Sequence, residues 1–529
     1  MGIQPQRSLM STIRHLTFDH LWVVTVLVFV WWLISVLPLP PNDLWWHMAA
    51  GRAMVEEGRW IQTNRWAYTL PLDASYVYQS WLSELTLYGL WRLGDVPMLT
   101  LARTVAITGS YGLITWHAWR RSGRGKAATL ALVLAVLIGW NNWTLRPQTL
   151  VLLPGMAFVV VLGEYLDGRV SSRWLLALPL LMVVWVNGHG SFGLGCGLLA
   201  LAWVGTLIRA IRRGGGGGVP GEDGADDPTA RARQQVGPLL LAGGGTLLAT
   251  MVNPLGVGIV TYVPMMLTQS SLQQWFVEWF PPRNDLDVMN TGFWFFLHLL
   301  VLAVLMSAGP RRPSATDLLW YCALAWLTFG GVRYAMWYGL VMLPLLATCL
   351  APLLTSRRPG HPTARTVNPT FAAGYGVGVG ILVIAVLPWF QPARYAGIGA
   401  DHLFASSGPY GMLLSDTTPV AATDWLEQHP VAGRFWADMS YTSYTIWRLP
   451  QKQVFADLRV ELFPSSVWND YFTIARGNER SLAMLDQWEI THLMVDRHWQ
   501  ASLYDLLLET PGWCLRFQGQ RAAVIGRCS

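Results

Sequence analysis

Apolar runs long enough to cross a bilayer recur along the chain, separated by short polar stretches. A helix needs about twenty apolar residues to span. The runs predict membrane helices near 19–39, 96–118, 127–144, 147–166, 173–188 and 190–211. Others fall near 237–262, 291–309, 315–331, 334–354 and 371–390, about eleven in all. Around 187–190 (NGHG), two of them can equally be one broken helix.

The interval after the first run breaks the pattern. Residues 41–88 read PNDLWWHMAAGRAMVEEGRWIQTNRWAYTLPLDASYVYQSWLSELTLY, too long and polar for a connector. Loops beyond about 12–15 residues are either functional or disordered, and the density of Trp and Tyr argues against disorder. If 43–57 is a helix, Asp43 and His47 share a face, and Ala50, Gly51 and Met54 continue it. Small residues there leave room for a ligand or for another helix. Trp45, Trp46 and Trp60 suit a membrane–water interface. The same residues also fit a plainer reading, in which Asp43 caps its own helix and His47 bonds back to it.

After residue 391 the pattern turns to short segments of a soluble type. Strands are predicted at 434–438 (RFWAD), 453–457 (QVFAD) and 492–496 (HLMVD), and helices near 419–428, 465–476, 479–488 and 500–509. A hairpin joins 513–517 to 522–525. This is a small α/β domain, 392–529, behind a membrane domain, 1–391, whose first outer loop is 39–95. Asp438, Asp457 and Asp496 end the three strands, where ligands bind in open α/β sheets; each can equally cap the next helix or open a turn. Asp457, Arg459 and Glu461 alternate onto one face. Residues 212–236, with a run of five glycines, read as a flexible linker.

Composition agrees with many crossings. The chain of 529 residues is 53% hydrophobic and 13% charged, against about 25% charged in soluble domains. The net charge of +6 sits mainly in short loops and is not a nucleic-acid signature. Arg7 and Arg14; Arg120, Arg121, Arg124 and Lys126; Arg169 and Arg173; Arg209, Arg212 and Arg213; Arg311 and Arg312; Arg357 and Arg358 fall on one side of the predicted spans. The positive-inside rule makes that side cytoplasmic. The N-terminus is then inside, as a signal anchor, and the C-terminal domain outside. Cys196, Cys322 and Cys349 lie in apolar segments, while Cys514 and Cys528 flank the hairpin and can form a disulfide.

Polar groups gather at the outer ends of the spans. Arg146 lies in TLRPQ, His189 in NGHGSF, Glu278 in WFVEWFP and Arg333 in GGVRY, and Glu84 follows in the first loop. Arginine is suited to bidentate phosphate binding, so Arg146, His189 and Arg333 are candidates to hold a lipid phosphate or diphosphate. Each arginine taken alone fits a snorkelling headgroup contact, or a pair with Glu278. Glu84, Glu278, Asp457 and Arg459 are candidates for acceptor or accessory roles. Asp43 and His47 would give a divalent metal two ligands, too few to define a site.

The first span, the long loop opening on Asn42-Asp43, the many further spans and the outer C-terminal domain together resemble the GT-C superfamily of membrane glycosyltransferases. That superfamily includes protein O-mannosyltransferases, lipid A aminoarabinose transferases and oligosaccharyltransferase catalytic subunits. The motifs DLWWH, WLSE, RPQ, NGHGSF and EW are similar to those of bacterial GT-C-like membrane proteins. The resemblance implies a polytopic α-helical GT-C-like fold in the cytoplasmic membrane. It also implies transfer of a sugar from a polyprenyl-phosphate or diphosphate carrier to an extracytoplasmic protein, lipid or glycan, with Asp43 as general base. Many members carry two acids at this position; here the neighbour is Asn42. The alternative function is a non-catalytic protein that binds a lipid-linked glycan or scaffolds envelope assembly. A transporter is disfavoured, since the chain has no clear internal repeat and no mid-membrane acidic pair.

Overall fold

The computed structural model describes residues 16–211, 228–268, 275–354, 366–390 and 413–528. Arg7, Arg14, Arg212, Arg213, Arg357 and Arg358 lie outside the described residues, as does most of the expected linker.

Every expected span meets a helix. In chain order the helices are α1 (Phe18–Val36), α2 (Leu44–Glu57, in the expected outer loop), α3 (Trp81–Ser122), α4 (Gly125–Gly139), α5 (Leu152–Leu166), α6 (Ala177–Gly188) and α7 (Phe192–Ile211). Then come α8 (Pro228–Thr250), α9 (Ile259–Thr268), α10 (Thr291–Ala308), α11 (Ala315–Gly330), α12 (Ala335–Leu350) and α13 (Pro369–Ala385). Among the described residues, 6 helices are long and apolar enough to cross a membrane. The chain is a helical membrane protein. Its largest core is built from α4, α5 and α12, with buried Ala, Leu and Trp.

Three boundaries differ from the sequence expectation. Helix α3 is 42 residues long and begins inside the expected loop. It is two arms joined at Gly94 and Asp95, whose backbone leaves the helical region. Asp95 takes φ 53° and its carboxylate accepts from the Val96 amide; Pro97 then starts the second arm, where a missing N–H costs nothing. Helix α8 starts at Pro228, so 228–236 is helix and not linker. It is held there by Gln235, which donates to the Tyr165 carbonyl at 2.7 Å, and Arg233, which donates to that of Ala210 at 3.1 Å.

The third correction is in the C-terminal domain, where 453–457 is not a strand of the sheet. Its backbone is taken by the first loop: Val454 N–H donates to Trp66 O at 2.8 Å, and Tyr68 N–H to Val454 O at 3.1 Å. The sheet instead contains β1 (Arg434–Ala437), β2 (Ile490–Asp496), β3 (Trp513–Gln518) and β4 (Ala522–Arg527) in the order β1-β2-β4-β3. Strands β1 and β2 are parallel and the other pairs antiparallel. Cys514 and Cys528 close the β3–β4 hairpin as a disulfide. Helices α14 (Val420–Gln428), α15 (Met439–Arg448), α16 (Ser465–Ala475), α17 (Glu479–Gln487) and α18 (Ala501–Glu509) complete the domain. Asp438 and Asp496 accept from backbone amides at the start of the segments that follow them.

The first loop and the C-terminal domain share one core, in which Trp45, Met48, Tyr76 and Tyr78 are buried with Tyr441, Tyr444 and Trp447. Polar contacts fix the register. Trp46 N–H donates to Ser443 Oγ at 3.0 Å, and that hydroxyl donates to the Asn42 carbonyl at 2.7 Å. The far end of the loop is tied by Arg459. Its guanidinium bonds Asp457 at 2.7 and 2.9 Å, Tyr78 Oη at 3.0 Å and Asn64 Oδ1 at 3.0 Å, and it lies against the Trp66 and Tyr76 rings. Arg103, buried in α3, bonds carbonyls at the end of α1 and just beyond it, donating to Ile34 at 2.8 Å, to Pro38 at 3.3 Å and to Leu37. Those bonds hold the chain just ahead of Asp43.

Candidate active site

Asp43 immediately precedes α2, but its side chain makes no capping hydrogen bond. The carboxylate faces Arg146, Oδ2 to Nη1 3.6 Å. His47 does not bond back to Asp43 either; its Nδ1 lies 2.9 Å from Glu84 Oε1 on α3, and its ring stacks on Trp46. The plainer reading of this helix therefore fails for both side chains. The small face of α2 is filled by a helix: a Cβ on Gly51 would stand 2.2 Å from the Glu84 carbonyl oxygen.

Arg146 sits in extended backbone just before Pro147, which opens the turn Pro147–Leu150; residues before proline favour that conformation. Arg146 also bonds Glu278 at 2.9 Å, and Glu278 reaches Arg333 at 3.3 Å. Glu278 and Arg333 ride on facing single turns, Val277–Trp279 and Val332–Tyr334, joined by Val332 N–H to Phe280 O at 2.8 Å. The Arg333 guanidinium lies 4.2 Å from the Trp279 ring centre. The result is a chain of alternating charge: Asp43, Arg146, Glu278, Arg333.

His189 follows α6. Its Nδ1 accepts from the Ser191 amide at 3.0 Å, so the neutral ring carries its proton on Nε2. Gly188 lets α6 approach Val151, where a Cβ would stand 2.3 Å from the Val151 side chain, and Gly190 lines the open space.

These groups line one cavity of ≈ 460 Å³. Asp43, His47, Glu84, Arg146, His189, Glu278 and Arg333 all reach it. Its other end runs between α7 and α11 along Leu194, Leu198, Leu201, Leu324 and Leu327. Glycines at 193 and 197 open the α7 side. A charged head and an apolar trough thus form one continuous space. Three polar groups there have no partner among the described residues: Glu84 Oε2, Gln148 Oε1 and Trp46 Nε1.

Burial raises the Asp43 carboxyl to about 6, with Arg146 pulling the other way. Burial also acts to raise Glu278, but Arg146 and Arg333 outweigh it and hold the carboxyl at about 2. His189 is pushed down to about 3, by burial first and then by Arg333 and Arg146. Burial pushes Glu84 up and His47 down, so both favour a neutral hydrogen-bonded pair.

Asp457 and Arg459, expected near an acceptor, do not line the cavity; they are fully buried in the joint between loop and domain. From that segment it is Glu461 that reaches the cavity, accepting from Tyr76 Oη at 2.7 Å. Gln148 and Tyr76 also line it and had not been singled out, although Gln148 lies in the same RPQ motif as Arg146; Trp46, expected at a membrane–water interface, lines it too. Asp43 is paired with Arg146 and His47 with Glu84, and no group of three His, Cys, Asp or Glu among the described residues is placed to hold one.

No family model and no curated protein sequence matches the chain. Solved structures do match in fold. The archaeal oligosaccharyltransferase AglB from Archaeoglobus fulgidus, in complex with an inhibitory peptide and a dolichol-phosphate, aligns over 93% of this chain and 71% of its own, with TM-score 0.50 and 11% identity. ArnT from Cupriavidus metallidurans, bound to undecaprenyl phosphate, aligns over 96% of this chain and 97% of its own, with TM-score 0.50 and 14% identity. What this chain shares with both neighbours is the fold.

Proposed function

We propose that the protein is a GT-C-type glycosyltransferase that moves a sugar from a polyprenyl-phosphate or diphosphate carrier to an acceptor outside the cytoplasm. One observation carries this reading: the cavity joins a head holding Arg146 and Arg333, with the carboxyl groups of Asp43, Glu84, Glu278 and Glu461, to an apolar trough between α7 and α11. An amphiphile with a phosphate head and an isoprenoid tail fits both ends. The asymmetry of Lys and Arg among the loops supports a multi-pass protein of the cytoplasmic membrane, with its N-terminus inside and its C-terminal domain outside.

In this reading Asp43 takes the proton of the acceptor hydroxyl. The acceptor oxygen bonds to the anomeric carbon, and the bond from that carbon to the carrier oxygen breaks. The electron pair of that bond stays on the phosphate. Arg146, Arg333 and the Nε2–H of His189 stabilise the charge that develops there. A carboxyl titrating at about 6 suits a general base working near neutral pH. Glu461 and Tyr76, on the side of the C-terminal domain, contact the acceptor.

The test is transfer by purified protein from a panel of polyprenyl-phosphate sugars, wild type against Asp43→Asn. Carrier consumption that requires Asp43 supports the reading. Carrier binding without consumption in either protein would replace it with the non-catalytic one.

A further inference from the structure

The turn that carries Glu278 is held from outside the membrane bundle. It is closed by Trp279 N–H to Phe276 O at 2.9 Å and Phe280 N–H to Val277 O at 3.0 Å. The two residues that lead into it are aromatic, and both lie against α16 of the C-terminal domain. The Trp275 ring stacks on Phe472, with centres 4.5 Å apart and planes at 18°. The Phe276 ring meets Trp468 edge-on at 5.3 Å. Trp468 is fully buried in a core of that domain, and Trp275 and Phe276 pack against the same core. Aromatic pairs stabilise beyond the area they bury. Here they act next to the turn, since the Phe276 carbonyl is its first acceptor.

On its other side the turn meets Val332–Tyr334, through Val332 N–H to Phe280 O at 2.8 Å and the Arg333 guanidinium over the Trp279 ring. Glu278 then joins Arg146 at 2.9 Å to Arg333 at 3.3 Å. The two guanidiniums are thus linked by a carboxylate whose backbone is fastened, two residues away, to the C-terminal domain. Trp468 also donates from Nε1 to Val460 O at 3.2 Å, beside Glu461. One buried ring therefore touches the segments that bring both Glu278 and Glu461 to the cavity.

We propose that Trp468 and Phe472 are positioning residues for Glu278: by seating Phe276 and Trp275 they fix the turn, and through it the two arginines at the head of the cavity. What those arginines do rests on the transferase reading above; the seating does not. Neither α16 residue lines the cavity, yet a fault in either reaches the reacting end. The C-terminal domain serves the arginine side of the site as well as the acceptor side.

Asp43 reports whether the turn is seated. Burial raises its carboxyl, Arg146 and Arg333 lower it, and Glu278 and Glu461 raise it. Burial opposes the charged forms of His47, Glu84 and His189 beside it. Of all these groups, Glu278 alone rides on the seated turn. When the turn leaves, a group that raises Asp43 leaves with it, and Arg146 turns to Asp43 as its other carboxylate. Asp43 then ionises at lower pH, whatever charge Glu461 carries.

The experiment uses the purified full chain in detergent, as wild type, Trp275→Ala, Phe472→Ala, the double variant and Phe472→Tyr. Trypsin cleavage is followed at Arg283, which is exposed just past the turn, and kcat/KM is followed against pH. Each single alanine variant should be cut faster and lose kcat/KM about threefold to tenfold at pH 8, the scale of one aromatic pair. Each should also move its acid limb to lower pH. Trp275 and Phe472 form one contact, so the double variant should match the singles and not multiply them. Phe472→Tyr keeps the ring and should match wild type. A loss of rate with wild-type cleavage and a wild-type acid limb would be merely structural and would overturn the proposal, as would multiplied losses in the double variant. Absence of transfer from any donor, wild type included, would end the transferase reading alone. Cleavage then decides the seating: faster cutting of both single variants supports it, and an unchanged rate overturns it.

Discussion

The Arg146 guanidinium lies 3.6 Å from the Asp43 carboxylate, so the residue that would receive the leaving phosphate also touches the base. The contact is loose enough for Asp43 to keep a raised carboxyl, at about 6. The sign of the pH dependence follows. Above that value Asp43 is ionised and can accept a proton; below it the base is blocked. Wild-type kcat/KM should be level above about pH 6 and fall tenfold per pH unit below it. Asp43→Asn should lower turnover by about 10²–10⁴-fold and abolish this limb, with carrier binding retained. A mutant that keeps both its rate and its acid limb would remove Asp43 from the mechanism.

Arg146 bonds two carboxylates from one guanidinium. Arg146→Ala should weaken carrier binding and reduce turnover by about 10²–10³-fold, the usual loss of one group stabilising a developing oxyanion. Arg146→Lys should recover only part of it, because an ammonium is a point charge without the planar fork. Binding curves and single-turnover rates separate the two effects. Full activity in the lysine variant would mean that charge alone suffices.

The same geometry bears on metal dependence. A guanidinium already bridges the two carboxylates that a divalent ion would need. Transfer should therefore survive dialysis against EDTA. Loss of activity that Mg²⁺ or Mn²⁺ restores would show that Arg146 swings away and the acids take a metal.

Arg459 makes four side-chain hydrogen bonds, two to Asp457 beside it and one each to Tyr78 and Asn64 of the first loop, which tie the C-terminal domain to that loop. Arg459→Met would leave Asp457 buried without its cation. The expected cost is about 3–5 kcal/mol, read as a lower unfolding temperature and faster protease release of the domain. If unfolding is unchanged, the joint is held by the shared aromatic core and the backbone contacts at Val454 and Ser443 without need of Arg459.

The residues of the site were legible one at a time. Asp43, His47, Arg146, His189, Glu278 and Arg333 stood out because each interrupts apolar sequence at the end of a run, where a polar group needs a reason. Their pairing was not legible, since Arg146 and Glu278 are 132 positions apart and only the folded bundle brings them together. Alternation at 453–457 read as a strand, yet an exposed strand edge offers the same backbone groups to a loop as to a sheet; here the loop at Trp66 and Tyr68 took them. Asp457 and Arg459 looked like a binding pair because nothing local distinguishes a charge that meets ligand from one that meets its neighbour in a core. Arg103 gave no signal, because its partners are the carbonyls at the end of another helix.

The small face of α2 was legible as a need for space, but not for what. Gly51 stands where a Cβ would come within 2.2 Å of the Glu84 carbonyl and 3.1 Å of Tyr88. Backbone cannot yield as a flexible side chain does, so Gly51→Ala must push α2 away from the first arm of α3. Overpacking of this kind costs about 1–3 kcal/mol, and the separation would lengthen the 2.9 Å bond between His47 and Glu84. Gly89, on the same arm, has nothing within 4 Å of its added Cβ. Gly89→Ala should therefore stabilise the protein by about 0.5–1 kcal/mol through helix propensity. The pair makes a controlled comparison by thermal unfolding and transfer assay. Gly51→Ala should lose both stability and turnover, while Gly89→Ala gains stability and keeps turnover. Equal effects at the two positions would mean that α2 and α3 are not in the close contact on which the His47–Glu84 pair depends.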